Sequence, residues 1–241
     1  MTNQLELLDW DSKFFGYKVG RIDAKRISAG RLEQLFNGAR KARFKLIYLF
    51  VNPQNKRLNE SVRELGGILV DEKVTFYRTI PQSFRNLKRD RNITSCFGKK
   101  PSPKLFLLSK SAGAYSRFRL DPRLRKREFE IIYREWLKNS LNGRLAKEVL
   151  VYGKEGKEVG FITLGIKNKR ADIGLIAVDK KFSGKGMGRS LVESVFKKAL
   201  FLGFEDIQVI TQKANVGAFK FYEKLGFVVE SVTNIYHLWL K

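Results

Sequence analysis

Residues 178–188 read Val-Asp-Lys-Lys-Phe-Ser-Gly-Lys-Gly-Met-Gly. An apolar run over 173–178 leads into this stretch and reads as a buried strand. Behind it, over 189–202, Leu191, Val192, Val195, Phe196, Ala199 and Leu200 recur at helical spacing. Gly184, Gly186 and Gly188 therefore stand at a strand-to-helix turn, where glycine lets the backbone take positive φ and approach a ligand closely. The free N–H groups of a first helical turn, with the helix dipole behind them, favour an anion. Lys185 adds a cation. The pattern predicts a pyrophosphate cradle. A Walker-type loop would need a Gly-Lys-Ser/Thr that 186–188 does not supply. A dinucleotide fingerprint would sit in the first βα unit, whereas this loop comes late, although Glu205 and Asp206 follow at a suitable distance. A tight connection that binds nothing is the plain alternative.

The residues that follow narrow the choice. Residues 207–211 read as a strand, 215–227 as a helix closed by Gly226, and 228–239 as a last strand. Ser183-Gly-Lys-Gly-Met-Gly188 fits the loop pattern Arg/Gln-x-x-Gly-x-Gly/Ala except at its first position. Asn215-x-x-Ala218 followed by Phe221-Tyr222-x-x-x-Gly226-Phe227 fits a second pattern in full. In these two motifs, their order and their spacing, the chain resembles the GCN5-related N-acetyltransferase (GNAT) family. The resemblance implies an α/β (α+β) fold with a mixed, mostly antiparallel central sheet flanked by helices. It implies an acyl-CoA N-acyltransferase with acetyl-CoA as donor and no metal. It places the pantetheine arm on the backbone of Ile176, Ala177 and Val178. It places the diphosphate on Ser183, Gly184, Lys185, Gly186, Met187 and Gly188, with Asn215 and Phe221 as neighbouring cofactor contacts. Tyr222 becomes the acid that protonates the departing thiolate. Phe221 stands where the resemblance leads one to expect arginine. Packing is the plain alternative for Tyr222, and helix capping for Asn215.

The chain has 241 residues, enough for one large domain or two small ones. No apolar run approaches the roughly 20 residues that span a membrane, and the first residues lack the pattern of a signal peptide. Cys96 is the single cysteine and His237 the single histidine. That excludes an intrachain disulfide, argues against a cysteine–histidine nucleophile and a zinc site, and fits a reducing compartment. These features predict a cytoplasmic protein. The net charge of +24 attracts polyanions. The basic residues are spread along the chain rather than massed in one tail, which argues against nucleic acid.

Three segments are expected: a smaller, degenerate GNAT-like domain over 1–80, a Pro-rich basic linker over 81–104, and a catalytic domain over 105–241. In the first, 46–51 reads as a strand, 56–65 as a helix stopped by Gly66-Gly67, and 68–80 as a strand. This unit overlays the last one at a shift of 160 residues: Asn55 falls on Asn215, Gly66 on Gly226 and Phe76 on Tyr236. A duplication at the level of fold accounts for this, as do the coincidences of two glycine-capped strand–helix–strand units. Val62 falls on Tyr222, so the first copy lacks the phenol as well as the glycine loop. In the third segment, helices are expected over 112–118 and 125–141, and strands over 147–152 and 159–166 with a turn at Gly156.

Three further blocks, Trp10-(x)3-Phe14-Phe15-Gly16, Ser116-Arg117-Phe118 and Tyr133-x-x-Trp136, resemble family members that acetylate an amino deoxysugar on a nucleotide carrier. The implied acceptor is of the dTDP-4-amino-4,6-dideoxyhexose type, used for surface polysaccharide. Phe14, Phe15, Arg117 and Phe118 are its candidate contacts, with core packing as the plain alternative for the rings. A homodimer is implied by the resemblance alone. No general base stands in a matched motif, although Asp172 and Glu230 are candidates. Two other functions stay open: a protein or peptide acetylase, and an acyl-CoA- or nucleic-acid-binding module without catalysis.

Overall fold

Residues 159–165 are buried without a break, the pattern of a strand covered on both faces. They form the middle of β7 (Lys157–Lys167), flanked by the antiparallel neighbours β6 (Glu148–Lys154) and β8 (Arg170–Val178). The computed structural model describes residues 5–24, 27–88 and 90–240; residues 1–4, 25–26 and 241, in the first and last expected segments, and Arg89 in the expected linker, lie outside it. From β8 the sheet continues through β9 (Asp206–Gln212), β4 (Ile68–Thr79), β10 (Val228–Trp239), β3 (Phe44–Val51), β2 (Lys18–Asp23) and β1 (Leu5–Leu7). At its other edge β5 (Ile93–Ser95) joins β6, which makes ten strands in one sheet among the described residues. Among the described residues only β2 with β3 and β8 with β9 pair in parallel. The mixed, mostly antiparallel sheet expected from the sequence is present.

Helices cover both faces. On one lie α1 (Asp9–Phe15), α4 (Pro103–Ala112), α5 (Arg117–Leu120) and α6 (Lys126–Leu141), packed on Tyr48, Phe161, Leu175 and Ile235. On the other lie α7 (Met187–Phe201) and α8 (Val216–Lys224), against Val74, Phe76 and Val209. The same face carries α2 (Ala29–Lys41) and α3 (Lys56–Glu64), against Leu49, Val51 and Tyr236. Among the described residues no helix is long and apolar enough to cross a membrane.

The strand registers repeat at the 160-residue shift. Phe76 pairs with Val209 in β4·β9, and Tyr236 pairs with Leu49 in β10·β3. Adding 160 to 76 and subtracting it from 209 turns the first pair into the second. Between β4 and β10 the pair Lys73–Thr233 maps onto itself, and Val74–Val232 maps onto Asn234–Glu72. Even the irregularities correspond, since Val70 and Glu230 are the residues each strand skips in this ladder. The helix caps follow. Asn55 accepts from Leu58 N at 3.1 Å, and Asn215 from Ala218 N at 3.2 Å. The two strand–helix–strand units thus exchange their last strands across an approximate twofold axis, with β10 inserted between β3 and β4.

Three expectations differ from what is found. The helix expected over 112–118 starts earlier, as α4, where Ser102 caps it by accepting from Leu105 N and Pro103 stands in the first turn. The chain then turns at Gly113, where a Cβ would lie 2.2 Å from the Tyr133 ring, before the single turn of α5. The expected linker contributes strand β5, held by buried Ile93 and by pairing with β6; three residues are too few to show an alternating pattern. And β10, which follows α8 directly in sequence, leaves its own unit for the centre of the sheet.

Candidate active site

The site begins where β8 and β9 part. Ala171, Asp172 and Ile173 pair with Ile207, Gln208 and Val209, and the ladder stops there. Ile176, Ala177 and Val178 continue alongside β7, opposite Ile162, Phe161 and Gly160. On the other side β9, which pairs with β4 along its whole length, makes no further ladder pair with β8. A register break between Ile162 and Leu164 bends the strand here, and Thr163 Oγ1 accepts a hydrogen bond from Leu175 N at 2.8 Å. These last residues of β8 are half-buried at the opening.

Beyond β8 comes the glycine turn. Gly184 and Gly186 have φ of 77° and 82°, and a Cβ on either would meet no atom within 4 Å. Ser183, Gly184, Lys185 and Gly186 are exposed, while Met187 is buried under the start of α7. Gly186 caps α7 without a side chain to bind the free N–H groups, so these point outward with the positive end of the helix dipole. The turn's base is tied down by an ion pair between Lys104 and Asp179, whose carboxylate also accepts from Lys181 N at 3.0 Å. The turn therefore has the room, the donors and the charge that a diphosphate requires.

Helix α8 closes the third side. A Cβ at Gly188 would lie 3.2 Å from the Phe221 ring and 3.8 Å from Val178 Cγ2, so turn, strand end and α8 converge. Phe221 lies 5.4 Å, centroid to centroid, from Tyr222. Tyr222 is 3% exposed among Phe76, Phe221 and Phe227, and burial raises its phenol pKa above the ordinary value. Asn215 caps α8, the role its residue type favours.

The opposite face of the sheet holds a polar cluster. Arg117, at the start of α5, lies over the rings of Tyr48, at 4.5 Å, and Phe118, at 4.6 Å. Phe118 itself is 4% exposed and packs edge-on against Trp136. Tyr48 donates to Asp11 at 3.0 Å. Asp71 is 8% exposed, and its Oδ1 has no hydrogen-bond partner. Burial pushes this carboxyl up to about 7 against the pull of Arg117 and Lys73. His237 donates Nδ1–H to Asp121 at 2.6 Å, and Trp239 donates to the same oxygen at 2.9 Å. Burial lowers the His237 pKa to about 4. Burial alone would raise Asp121, but its hydrogen bonds from His237, Arg123 N and Trp239 hold it below the usual value.

The 183–188 turn thus meets the end of β8 and helix α8 through Gly188, Val178 and Phe221, with Tyr222 buried beside Phe221 and Asn215 at the start of the same helix. Arg117 and Phe118 lie on the other face. Phe14 and Phe15 sit in an aromatic row that runs from Trp10 through Tyr17 to Trp239. Of the two candidate bases, Asp172 accepts from Gln208 at 2.8 Å and Glu230 pairs with Arg170 at 2.6 Å. Asp71, Lys73, Tyr48 and Asp11 were not among the expected site residues. The one signal for the first two was a charged Asp-Glu-Lys triplet at 71–73 inside an otherwise strand-like run.

Residues 113–227 match the family model described as Acetyltransferase (GNAT) family. This segment belongs to the GNAT acetyltransferases. It holds β6 to β9, the glycine turn and α8, and leaves out the first unit and β10. The chain is similar to the spore coat polysaccharide biosynthesis protein SpsD of Bacillus subtilis, 29% identical over 132 residues, which are 55% of this chain and 45% of SpsD. The chain spans about half the length of the first two curated relatives it matches, at 45% and 48%. It is similar over 94% of both chains to a dTDP-fucosamine acetyltransferase of Escherichia coli, at 25% identity over 232 residues. A solved GCN5-related N-acetyltransferase from Sphaerobacter thermophilus shares the GNAT fold, with a TM-score of 0.61 at 14% identity, over 98% of this chain and 76% of that one.

Proposed function

We propose that this chain is a cytoplasmic, acetyl-CoA-dependent N-acetyltransferase. Its acceptor is the amino group of a nucleotide-linked amino deoxysugar, of the dTDP-4-amino-4,6-dideoxyhexose type, used for surface polysaccharide. The observation that carries the acyl-transfer part is the open, uncapped glycine turn at the start of α7, beside the strand end that β9 has released. The names of the dTDP-fucosamine acetyltransferase and of SpsD support the sugar part.

Bound at this opening, acetyl-CoA supplies an activated thioester. The outward N–H groups of 186–189 and the Lys185 ammonium hold its diphosphate. The unpaired edge of Ile176, Ala177 and Val178 offers donors to the pantetheine arm and to the negative charge that develops on the carbonyl oxygen. A preorganised donor of that kind contributes roughly 3–4 kcal/mol. The sugar amine forms the new C–N bond as the C–S bond breaks, and Tyr222 gives its phenolic proton to sulfur. The proton lost by the amine leaves through water. We assign 105–241 as the catalytic segment and 1–80 as a support that has lost the cradle, with β10 shared between them.

The test is incubation of the purified chain with acetyl-CoA and a panel of nucleotide-linked amino sugars, read by mass spectrometry. The expected result is one acetyl group gained on the amine of at least one sugar. Acetylation of peptides with no sugar modified would overturn the acceptor assignment. Failure to bind coenzyme A in calorimetry would overturn the whole reading.

A further inference from the structure

On the face of the sheet opposite α7 and α8, three cations converge on one ring. Arg21 lies 4.6 Å, Lys73 5.6 Å and Arg117 6.0 Å from the centroid of Phe50. They come from β2, β4 and α5, so only the assembled fold brings them together. The strand registers show why. Asp71 pairs with Ile235, and Ile235 with Phe50, which puts Asp71 and Phe50 in one row on one face. Lys73 lies two residues along the same strand and points the same way.

Like charges repel, and such a cluster normally carries matching carboxylates. Three carboxylates stand near this one, yet polar atoms among these groups are left without a hydrogen-bond partner. Asp23 pairs with Arg21 at 4.0 Å. Asp11 is held by Tyr48. Asp71 is buried beside Arg117 and Lys73 yet leaves Oδ1 without a partner, and Arg117 leaves Nε buried and unpaired. Burial and the charges of Lys167, Arg21 and Arg117 hold the Lys73 ammonium below its usual pKa. Buried polar atoms left unpaired are uncommon in folded chains and call for a ligand or water. A dianionic ligand over Phe50 would remove the repulsion and satisfy Arg117, and a hydroxyl or amine on the same ligand would satisfy Asp71.

We propose that Arg21, Lys73 and Arg117, gathered over Phe50, bind the phosphates of the acyl acceptor, with Asp71 accepting a hydrogen bond from the same molecule. This rests on the acceptor being a nucleotide-linked sugar. The first strand–helix–strand unit lacks the glycine cradle, but it then supplies Phe50 and Lys73 to the acceptor site of the second.

The experiment uses the whole protein saturated with coenzyme A, so that the glycine turn is filled. Thymidine diphosphate is then titrated by calorimetry. Wild type should bind it, with affinity falling as salt is added. Lys73→Gln and Arg21→Gln should each weaken binding roughly tenfold or more, the size expected for a charge-assisted contact. Coenzyme A affinity should stay unchanged, which also reports that the variants fold. In acetyl transfer, Lys73→Gln should raise KM for the acceptor with little change in kcat. Equal thymidine diphosphate affinity in wild type and both variants would overturn the site. If thymidine diphosphate binds through Lys73 but no amino sugar is acetylated, the acceptor assignment falls and the phosphate site stands.

Discussion

Tyr222 and Asp71 are both buried groups whose surroundings favour the uncharged form, and they have different consequences. The raised pKa of Tyr222 keeps the phenol protonated, so it does not limit turnover up to about pH 9. Tyr222→Phe should lower turnover by about 10²-fold or more, in the range for a general acid, and leave acetyl-CoA binding nearly unchanged. Steady-state rates together with calorimetry check this, and near wild-type turnover would remove the phenol from the chemistry. Asp71 bears on stability. Its folded pKa, about 7, lies above that of an unfolded aspartate at about 4. Across that window the folded chain binds more protons, and its stability falls as pH rises. His237 acts with the opposite sign: with a folded pKa of about 4, its contribution is present above about 6.5 and lost as pH falls. Comparing Asp71→Asn with wild type isolates the first effect. The variant should be the more stable of the two in urea unfolding at about pH 8, and the difference should vanish near pH 4. Tyr222 was legible because it stands in a motif. Asp71 was not, since the Asp-Glu-Lys triplet of 71–73 marks charge in a strand but does not say which of its side chains faces water and which faces Arg117.

The paired helices α3 and α8 carry a test that the molecule itself provides. Asn55 and Asn215 cap them with the same geometry, so Asn55→Ala and Asn215→Ala should each destabilise the chain by about 1 kcal/mol. Only Asn215→Ala should also weaken coenzyme A binding, because only α8 borders the glycine turn. Equal coenzyme A affinities in the two variants would leave Asn215 as a cap and nothing more. Most elements around the opening could be read directly. The Leu191–Leu200 spacing gave α7, and Gly66 and Gly226 marked the ends of their helices. Short pieces escaped. The single turn of α5 and the three residues of β5 are too brief for periodicity to register, and both are fixed by partners distant in sequence.

For the whole molecule, the question is whether the two units can come apart. A strand held on both sides by the first unit, yet joined by sequence to the second, predicts that they cannot. Denaturant unfolding followed by tryptophan fluorescence and by far-UV circular dichroism should give one coincident transition, with Trp239 in β10 and Trp136 in α6 reporting together. Two separated transitions would show that β10 does not couple the units. The repeat at 160 residues was visible as matched asparagines and glycines, but the exchange of strands was not. Either copy of the last strand has the same pattern wherever it pairs, and only the registers with β3 and β9 distinguish the arrangements. This arrangement also sets a timetable for biosynthesis. While the chain is still emerging from the ribosome, β3 and β4 lack the strand that separates them in the folded sheet, so the early half must wait with two open edges for β10. A chaperone that shields strand edges should therefore be found on nascent chains arrested after β4 has emerged and before residue 228, and should leave once β10 has cleared the exit tunnel.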